Sequence, residues 1–399
     1  MRVLRRVARA VFHQSLIAQG ATAAAALASV ALLARGLATE DYAHYAVVTA
    51  VWAIGNAVVG TGTGTRVAKS AAEGRTRIQF QRSELIVSLV AAIVTSAYIS
   101  TVRHSLLEGI VAGVCMVSFI AAEASTSFEI GLGRFNRYLC LLALRALLPP
   151  ALLAVLFISD AASFAGAMLC VLAGNLGSLL LWPNRFSRRL DRSRDSTGHS
   201  VGAINMGLWL IASADRLVLE RVVTPQDLAS YALAYGLADR VFRSLSNAYI
   251  ARTLGKAFAG LARRTQLRFY SLTFVLTVLV VPAIQFGSNV LSGGRYEVSL
   301  LMTIAISFSG LFMLWAAPAY VRLMTSNDFT YTLVIVFILA LLNVGGNVAF
   351  SQTLGTTGAA FFSLLTYFLW FAWLTLYTRR DTSGQMNGAR HLRALKSYS

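Results

Sequence analysis

The chain has 399 residues, of which 56% are hydrophobic and only 13% charged, and its mean hydropathy is +0.63. A soluble chain is about 25% charged, so the composition excludes a soluble globular protein and indicates a polytopic membrane protein. The net charge of +18 is also typical of nucleic-acid-binding proteins. The positions of the basic residues decide between these two explanations.

Twelve apolar stretches predict membrane-spanning helices, because a span needs about 20 mostly apolar residues. They cover residues 12–34, 42–62, 84–102, 106–128, 138–159, 161–182, 202–221, 228–250, 268–290, 297–321, 329–351 and 357–378. The first is too long for the apolar core of a cleaved signal peptide. The connections are short, so the sequence predicts no extramembrane domain.

Basic residues are concentrated in every second connection. If the N-terminus is cytoplasmic, 27 Lys and Arg residues lie on the cytoplasmic face, whereas only Arg35, Arg103 and Arg295 lie on the opposite face. Cytoplasmic loops of membrane proteins carry such an excess. The distribution therefore predicts cytoplasmic termini, and a nucleic-acid partner is no longer needed to explain the charge.

A basic linker divides the chain into two halves. The predicted organisation is a six-helix N-terminal lobe (1–183), a cytoplasmic linker (184–201), a six-helix C-terminal lobe (202–380) and a cytoplasmic tail (381–399). Because each half has an even number of spans, both halves have the same orientation, as in parallel repeats. The linker is either a solvated connector or a site for anionic lipid headgroups.

An internal repeat supports this division. When each residue n is compared with residue n+186, Arg35 corresponds to Arg221, Asp41 to Asp227 and Tyr45 to Tyr231. Each copy contains the end of one apolar helix, a polar turn and the start of the next helix. Weak internal repeats of this kind are a signature of secondary transporters.

The seventh and eighth spans each gather polar and aromatic residues on one face. On the seventh span, Asn205, Trp209 and Arg216 lie within about 80° of arc. Asp215 points about 100° away from Arg216, so we expect that the two cannot neutralise each other on one face. On the eighth span, Tyr235, Asp239 and Arg243 share one side. Asp239 and Arg243 are four residues apart, which allows an ion pair within the helix. Each charged residue could line a pathway or could tie helices together, because intramembrane charges face the protein interior.

The first half contains a second pair of intramembrane charges. Glu123 on the fourth span and Arg145 on the fifth lie at similar depth, roughly 10–12 Å from the cytoplasmic edge at 1.5 Å per residue. The sequence therefore predicts a Glu123–Arg145 pair, which is either a lock between helices or a cationic site released when substrate arrives. Pro149 and Pro150 follow in the same helix and predict a kink.

Several of these segments resemble the polysaccharide transporter family. The resemblance is carried by Asp215-Arg216-Leu217 followed by Tyr231-Ala232, and by LLARGLATEDYAHYAVV (residues 32–48) with GTGTGTRVAKSAAEG (residues 60–74). This family of flippases for lipid-linked oligosaccharides belongs to the same superfamily as the multidrug and toxin extrusion carriers. The chain departs from it at Ala43, Ala229 and Glu220, where family members commonly have Gly.

The resemblance implies an all-α integral membrane protein with about twelve transmembrane helices. They would form two six-helix lobes related by a pseudo-two-fold axis, with a central cavity between them. The implied activity is the movement of an undecaprenyl-pyrophosphate-linked oligosaccharide, such as an O-antigen or exopolysaccharide unit, from the cytoplasmic to the periplasmic leaflet of the bacterial inner membrane. The implied partners are this lipid-linked glycan, membrane lipids and polysaccharide assembly proteins such as a polymerase and a chain-length regulator.

A carrier of this kind needs guanidinium groups for pyrophosphate, aromatic rings for sugars, and polar groups for sugar hydroxyls. The predicted substrate-binding residues are Arg216, Arg145, Arg243, Asn205, Trp209, Tyr235 and Asp239. The predicted structural or gating residues are Glu123, Asp215, Pro149 and Pro150.

Two other function classes remain open. The first is a cation-coupled exporter of small molecules or drugs in the same superfamily, against which the cationic bias of the intramembrane charges argues. The second is a membrane polysaccharide polymerase or glycosyltransferase. No Walker phosphate loop and no pair of metal-binding histidines occurs in the sequence, so we expect a transporter without catalytic residues, cofactor or metal.

Overall fold

The computed structural model describes residues 20–181, 186–187, 190–191, 197–258, 267–323 and 329–396. In the first half the helices are α1 (Gly20–Gly36), α2 (Thr39–Asn56), α3 (Gly62–Ala72), α4 (Arg82–Arg103), α5 (Leu106–Gly131), α6 (Phe135–Ile158) and α7 (Phe164–Leu180). In the second half they are α8 (Thr197–Leu219), α9 (Pro225–Phe258), α10 (Leu267–Ser292), α11 (Leu300–Leu323) and α12 (Thr330–Lys396). A π-helical turn, Ala57–Thr61, joins α2 to α3 so that they form one span.

The protein is a multi-pass membrane protein. Eight of the described helices are long and apolar enough to cross a membrane, and α1 and α7 are shorter apolar helices. Apolar side chains on α4 and α10 face outward, and Leu89 and Leu279 are about 60% exposed. Side chains of this kind are accommodated by lipid tails. Each predicted span coincides with a described helix, except that residues 12–19 of the first span lie outside the described part of the chain.

Several helices extend beyond their predicted spans. The last two predicted spans are the two parts of α12, which meet at Gly355, whose φ of 55° and ψ of −139° favour glycine because it has no Cβ. The same helix continues to Lys396, beyond the predicted end at residue 378. Helix α8 begins at Thr197, within the predicted linker. Apolar periodicity predicts where a helix is immersed in lipid, but a helix can continue into the polar region.

The two halves repeat one another in the register that the sequence indicates. The span from Thr39 to Ala72 and helix α9 each contain 34 residues. Thr39 corresponds to Pro225 and Ala72 to Phe258, so both ends of the two spans keep the register of the repeat. The shared length shows that the repeat extends over a whole span and not only over the matching turn residues.

Helices of each half pack mainly on one another. In the first lobe α4 packs along α5, α6 along α7, and α5 also contacts α3 and α7. In the second lobe α11 packs along α12 and α9, and α12 also packs along α8. The all-α, two-lobe arrangement predicted from the sequence is therefore present.

The lobes meet along the span formed by α2, the π-helical turn and α3, which packs against α8. The contact is close at Gly202, where a Cβ atom would lie 2.5 Å from the carbonyl oxygen of Val58. Small residues allow helices to approach closely within a membrane. Glycine at position 202 therefore brings the first turns of α8 against the middle of the second span.

The loops define two sides of the molecule. The linker side carries residues 73–81, 132–134 and the described parts of the inter-lobe linker, residues 186–187 and 190–191. The far side carries the turns between α1 and α2, α4 and α5, α6 and α7, α8 and α9, and α10 and α11. The distribution of basic residues predicts that the far side is periplasmic.

Candidate functional site

Arg216 lies near the end of α8, with its guanidinium 5.0 Å from the centre of the Tyr235 ring on α9. One terminal nitrogen donates to the carbonyl oxygen of Ala212 at 3.2 Å and to the Ser213 hydroxyl at 3.5 Å. Its Nε is buried and has no hydrogen-bond acceptor among the described residues. Part of the donor capacity of Arg216 is therefore unused.

Asp215 faces the interior of the second lobe and is fully buried. Its carboxylate accepts hydrogen bonds from the Tyr231 hydroxyl and, at 2.7 Å, from the backbone nitrogen of Arg216. The sequence predicted that Asp215 and Arg216 could not neutralise each other. That expectation is wrong in part, because Arg216 Nε lies 3.8 Å from Asp215 Oδ1. A long side chain can curve around the helix, so the angle between the two Cα–Cβ bonds does not keep the charges apart.

Arg243 and Asp239 form the predicted ion pair within α9. Arg243 Nε lies 3.0 and 2.9 Å from the two carboxylate oxygens of Asp239, and Nη2 lies 2.6 Å from one of them. The same guanidinium lies 4.0 Å from the centre of the Trp209 ring on α8. The pair and the ring join the two charged helices, and all three side chains remain partly accessible.

Arg240 is a residue that sequence reasoning did not assign to the site. It lies on α9, one residue beyond Asp239 and therefore about 100° away from the Tyr235–Asp239–Arg243 side. It lies near Asp239 of the same helix and near Tyr42 and Tyr45 of α2, in the other lobe. Its Nε is buried with no hydrogen-bond acceptor among the described residues. The sequence does contain a sign of this role: Arg240 lies deep in a span and has no acidic residue four positions before or after it.

The first lobe contains the predicted Glu123–Arg145 ion pair. Arg145 on α6 donates to Glu123 on α5 at 2.9 Å and to Asn175 on α7 at 3.1 Å. Its guanidinium also lies 4.5 Å from the centre of the Phe119 ring. One arginine thus links three helices of this lobe. Asn175 continues the network by donating to Ser118 at 3.2 Å.

Pro149 and Pro150 lie inside α6, which continues from Phe135 to Ile158. The Pro149 ring packs against α7 at Gly174, where a Cβ atom would lie 2.7 Å from the ring. The close approach of α6 and α7 therefore depends on these two residues. The predicted gating role of the prolines stays a prediction.

The structure brings together five of the seven predicted substrate-binding residues on the facing sides of α8 and α9: Arg216, Arg243, Trp209, Tyr235 and Asp239. Asn205 lies near the start of α8 and is half-buried. Arg145 belongs to the separate cluster of α5, α6 and α7. The sequence could not separate these groups, because helix periodicity gives the face of a residue but not its neighbour.

On the far side, two arginines connect the lobes. Arg35, at the end of α1, donates from Nε to the carbonyl oxygen of Leu291 at 3.0 Å, at the end of α10. Arg295, just after α10, donates to the carbonyl oxygens of Ala34, Arg35 and Leu37 at 3.0–3.1 Å. Each arginine therefore satisfies the last carbonyls of a helix in the other lobe. We call this pair of contacts the far-side clamp.

Two further contacts close the same side. The Tyr42 ring on α2 stacks on Tyr296 of the second lobe, with 5.5 Å between the ring centres. Glu220, just after α8, contacts His44 of α2 at 3.1 Å and accepts from the Tyr98 hydroxyl of α4. The lobes are therefore joined on the far side by polar contacts as well as by buried apolar residues.

Comparison with solved structures identifies the fold. A MATE transporter in the bent conformation matches with a TM-score of 0.63 at 15% sequence identity, covering 94% of this chain and 95% of that chain. The inward-facing and outward-facing conformations of a multidrug resistance MATE family transporter of the MOP superfamily match with TM-scores of 0.60 and 0.59, at 14% and 15% identity. Each covers 92% of this chain and 96% of that chain.

The chain therefore has the two-lobe, twelve-helix fold of the MATE transporters of the MOP superfamily. No protein-family model matches the sequence, and no curated protein matches it either. At these sequence identities the likeness shows the fold and leaves the cargo to be argued from this chain's own residues.

Proposed function

We propose that the protein is a flippase that moves a lipid-linked oligosaccharide, with undecaprenyl pyrophosphate as the lipid carrier, from the cytoplasmic to the periplasmic leaflet. Transport would proceed by alternating access of the two lobes. The proposal needs a site for an anionic headgroup and a surface for sugars within an otherwise apolar bundle.

One observation carries the proposal: Arg216 and Arg240 each have a buried Nε with no hydrogen-bond acceptor among the described residues. An unsatisfied charged donor in a membrane interior is costly. Pyrophosphate oxygens would satisfy both groups, because guanidinium binds phosphate through parallel N–H donors. Both arginines interact electrostatically with Tyr42, so they lie on the side of α8 and α9 that faces the first lobe.

The aromatic residues of the site suit the oligosaccharide part of the cargo. Trp209 and Tyr235 present rings next to Arg243 and Arg216, and sugars bind to such rings through their C–H faces. Asn205 and Asp239 add polar groups on the same two helices. These residues provide the mixed polar and aromatic surface that a glycan requires.

The alternative of a cation-coupled drug exporter is favoured by the fold likeness alone. A site for an organic cation needs an available carboxylate. Here Glu123 and Asp239 each accept hydrogen bonds from an arginine, and Asp215 is fully buried with two donors. The carboxylates are therefore engaged whereas two arginine donors are not, which favours an anionic cargo.

The test compares cargo binding and transport in matched variants. Arg216→Ala and Arg240→Ala should each reduce export of a lipid-linked glycan at least tenfold in a complementation assay with equal protein levels. Arg216→Lys should also reduce export, since lysine keeps the charge but loses the planar fork. Arg221→Ala removes an exposed arginine at the end of α8 and should have no effect.

A binding measurement distinguishes the two functions. Undecaprenyl pyrophosphate should raise the melting temperature of the purified wild-type protein, and this shift should disappear in Arg216→Ala and Arg240→Ala. A fluorescent organic cation should give no shift. Full glycan export by both alanine variants, or efflux of the organic cation by the wild type in proteoliposomes, would contradict the proposal.

A further inference from the structure

A titratable cluster crosses the lobe interface on the far side. Glu220 of the second lobe contacts two residues of the first lobe: one oxygen lies 3.1 Å from His44 Nδ1, and the other accepts from the Tyr98 hydroxyl. The Glu220 side chain is 8% exposed and the His44 side chain 17% exposed. We call these three residues the far-side triad.

The His44 ring lies between two carboxylates. Its second nitrogen, Nε2, lies 3.6 Å from Glu40, one turn earlier on α2. Both ring nitrogens thus face a carboxylate oxygen, and only an imidazolium carries a proton on both.

The other charged groups nearby already have fixed partners or titrate outside the relevant range. Arg103 at the end of α4 pairs with Asp41 at 2.7 Å and with Glu108 at 3.1 Å. Arg221, beside Glu220, is exposed and interacts electrostatically with Tyr98, and on α9 Asp227 is bonded to Thr224. Histidine is the side chain whose charge ordinarily changes between about pH 5 and 8.

The far-side clamp and the Tyr42–Tyr296 contact do not respond to pH in this range. The far-side clamp consists of arginine donors and backbone carbonyls, and the Tyr42–Tyr296 contact is a ring stack. Arginine stays protonated and carbonyls do not titrate. The far-side triad therefore lies beside contacts that do not depend on pH. An experiment that varies the pH can distinguish its effect from theirs.

We propose that the far-side triad is a proton-binding site through which the pH on the far side controls closure of the two lobes. When His44 is protonated, it bridges Glu220 and Glu40 and holds the far side closed. When His44 loses its proton, the ion pair with Glu220 is lost and the lobes separate more readily. Closure thus takes up one proton and opening releases it, so acid favours the closed far side.

If the far side is periplasmic, an acidic periplasm would return the empty carrier to the state that is closed on that side. The inference does not depend on which cargo is carried.

The experiment measures the distance between the lobes without cargo. Spin labels are placed at Ser159, in the α6–α7 turn, and at Thr353, at the far end of the first part of α12; both are exposed. The native cysteines are replaced, and the protein is reconstituted in lipid nanodiscs. Double electron–electron resonance is then recorded between about pH 5.5 and 8.5, the range in which histidine titrates.

The wild type should show a short-distance population that rises at least twofold as the pH falls through this range. His44→Gln and Glu220→Gln should lose this pH dependence, because neither can form the ion pair. Arg295→Gln weakens the far-side clamp and is the matched control: it should lower the closed population at every pH but keep the pH dependence. Tyr98→Phe should do the same, since it removes a hydrogen bond but leaves the ion pair.

Three outcomes would overturn the proposal: a wild-type distance distribution that does not change with pH, an unchanged pH dependence in His44→Gln, or a lost pH dependence in Arg295→Gln. Size-exclusion chromatography of each variant checks folding, and His44→Gln serves if Glu220→Gln does not fold. Because no cargo is present, the result is independent of the proposed glycan transport.

Discussion

The Glu123–Arg145 ion pair connects α5 to α6, and Asn175 extends it to α7. Removing one partner leaves the other charge without its counter-ion in a low-dielectric interior. Such a change costs about 3–5 kcal/mol for a fully buried pair. Glu123 is 31% exposed, so solvent screens part of this cost, and we expect about 1–3 kcal/mol.

We predict that Glu123→Gln and Arg145→Gln each lower the melting temperature in detergent, and that Arg145→Gln has the larger effect because it also loses Asn175. The exchange of the two residues, Glu123→Arg with Arg145→Glu, should recover part of the loss. Glu73→Gln, which changes an exposed glutamate just after α3, is the control. Normal melting temperatures for both single variants would show that the pair does not contribute to stability.

At the scale of elements, the inter-lobe linker is anchored to the first lobe. Two isolated parallel bridges join Ile78 to Phe186 and Gln81 to Asp191. Beneath them, Arg66 of α3, which is 3% exposed, donates to Glu84 at 2.7–2.8 Å and to Asp191 at 2.7 Å. The same arginine thus holds the end of the second span, the start of α4 and the linker together.

We predict that Arg66→Gln is the most destabilising change in this cluster, by about 3–5 kcal/mol, because it leaves the buried Glu84 without its cation. Asp191 keeps a second cation, Arg75, at 2.8 Å. Asp191→Asn should cost less, about 1–3 kcal/mol, since Arg66 keeps its two bonds to Glu84. The relative stability of the two variants is measured by thermal unfolding in detergent. An Asp191→Asn variant that is less stable than Arg66→Gln would contradict this hierarchy. Arg82→Gln, on an exposed side chain of α4, is the control.

The described residues of the inter-lobe linker contact the first lobe. These contacts help to choose between the two interpretations of the linker, a connector or a site for anionic lipid headgroups. Phe186 stacks on Phe80 with 6.0 Å between the ring centres, and Asp191 accepts from Arg66. These contacts suit a connector that is fixed to the first lobe. The lipid-headgroup interpretation concerns Arg188, Arg189, Arg192 and Arg194, which lie outside the described residues.

At the scale of the whole molecule, the orientation in the membrane is a prediction from the basic residues. Both termini and the linker should be cytoplasmic, and the far side periplasmic. In a cysteine-free protein, a cysteine at Ser196 or Ser399, both outside the described residues, should react with an impermeant reagent only from the cytoplasmic side. A cysteine at Thr353 should react only from the periplasmic side. Labelling of the cysteine at position 196 from the periplasmic side, or an odd number of spans in reporter fusions, would contradict the topology.

The sequence by itself determined the class of the protein and much of its architecture. Long apolar stretches predicted the spans because lipid leaves the backbone no partner except its own helix. Identities between the halves, such as Tyr45 with Tyr231, predicted that the two halves are equivalent. Helix geometry predicted the Asp239–Arg243 pair, which is local. It also predicted the equal depth of Glu123 and Arg145, because an α-helix rises by a constant amount per residue.

The tertiary structure decided which residues meet across elements. Periodicity gives the face on which Arg240 lies, but not that this face meets Tyr42 and Tyr45 of α2. Likewise, Arg35 and Arg295 read as two exceptions to the basic-residue distribution, and only the folded chain shows each at the end of a helix in the other lobe. His44 and Glu220 are 176 residues apart. Their contact depends on how the two lobes close, and no local pattern in the sequence encodes that geometry.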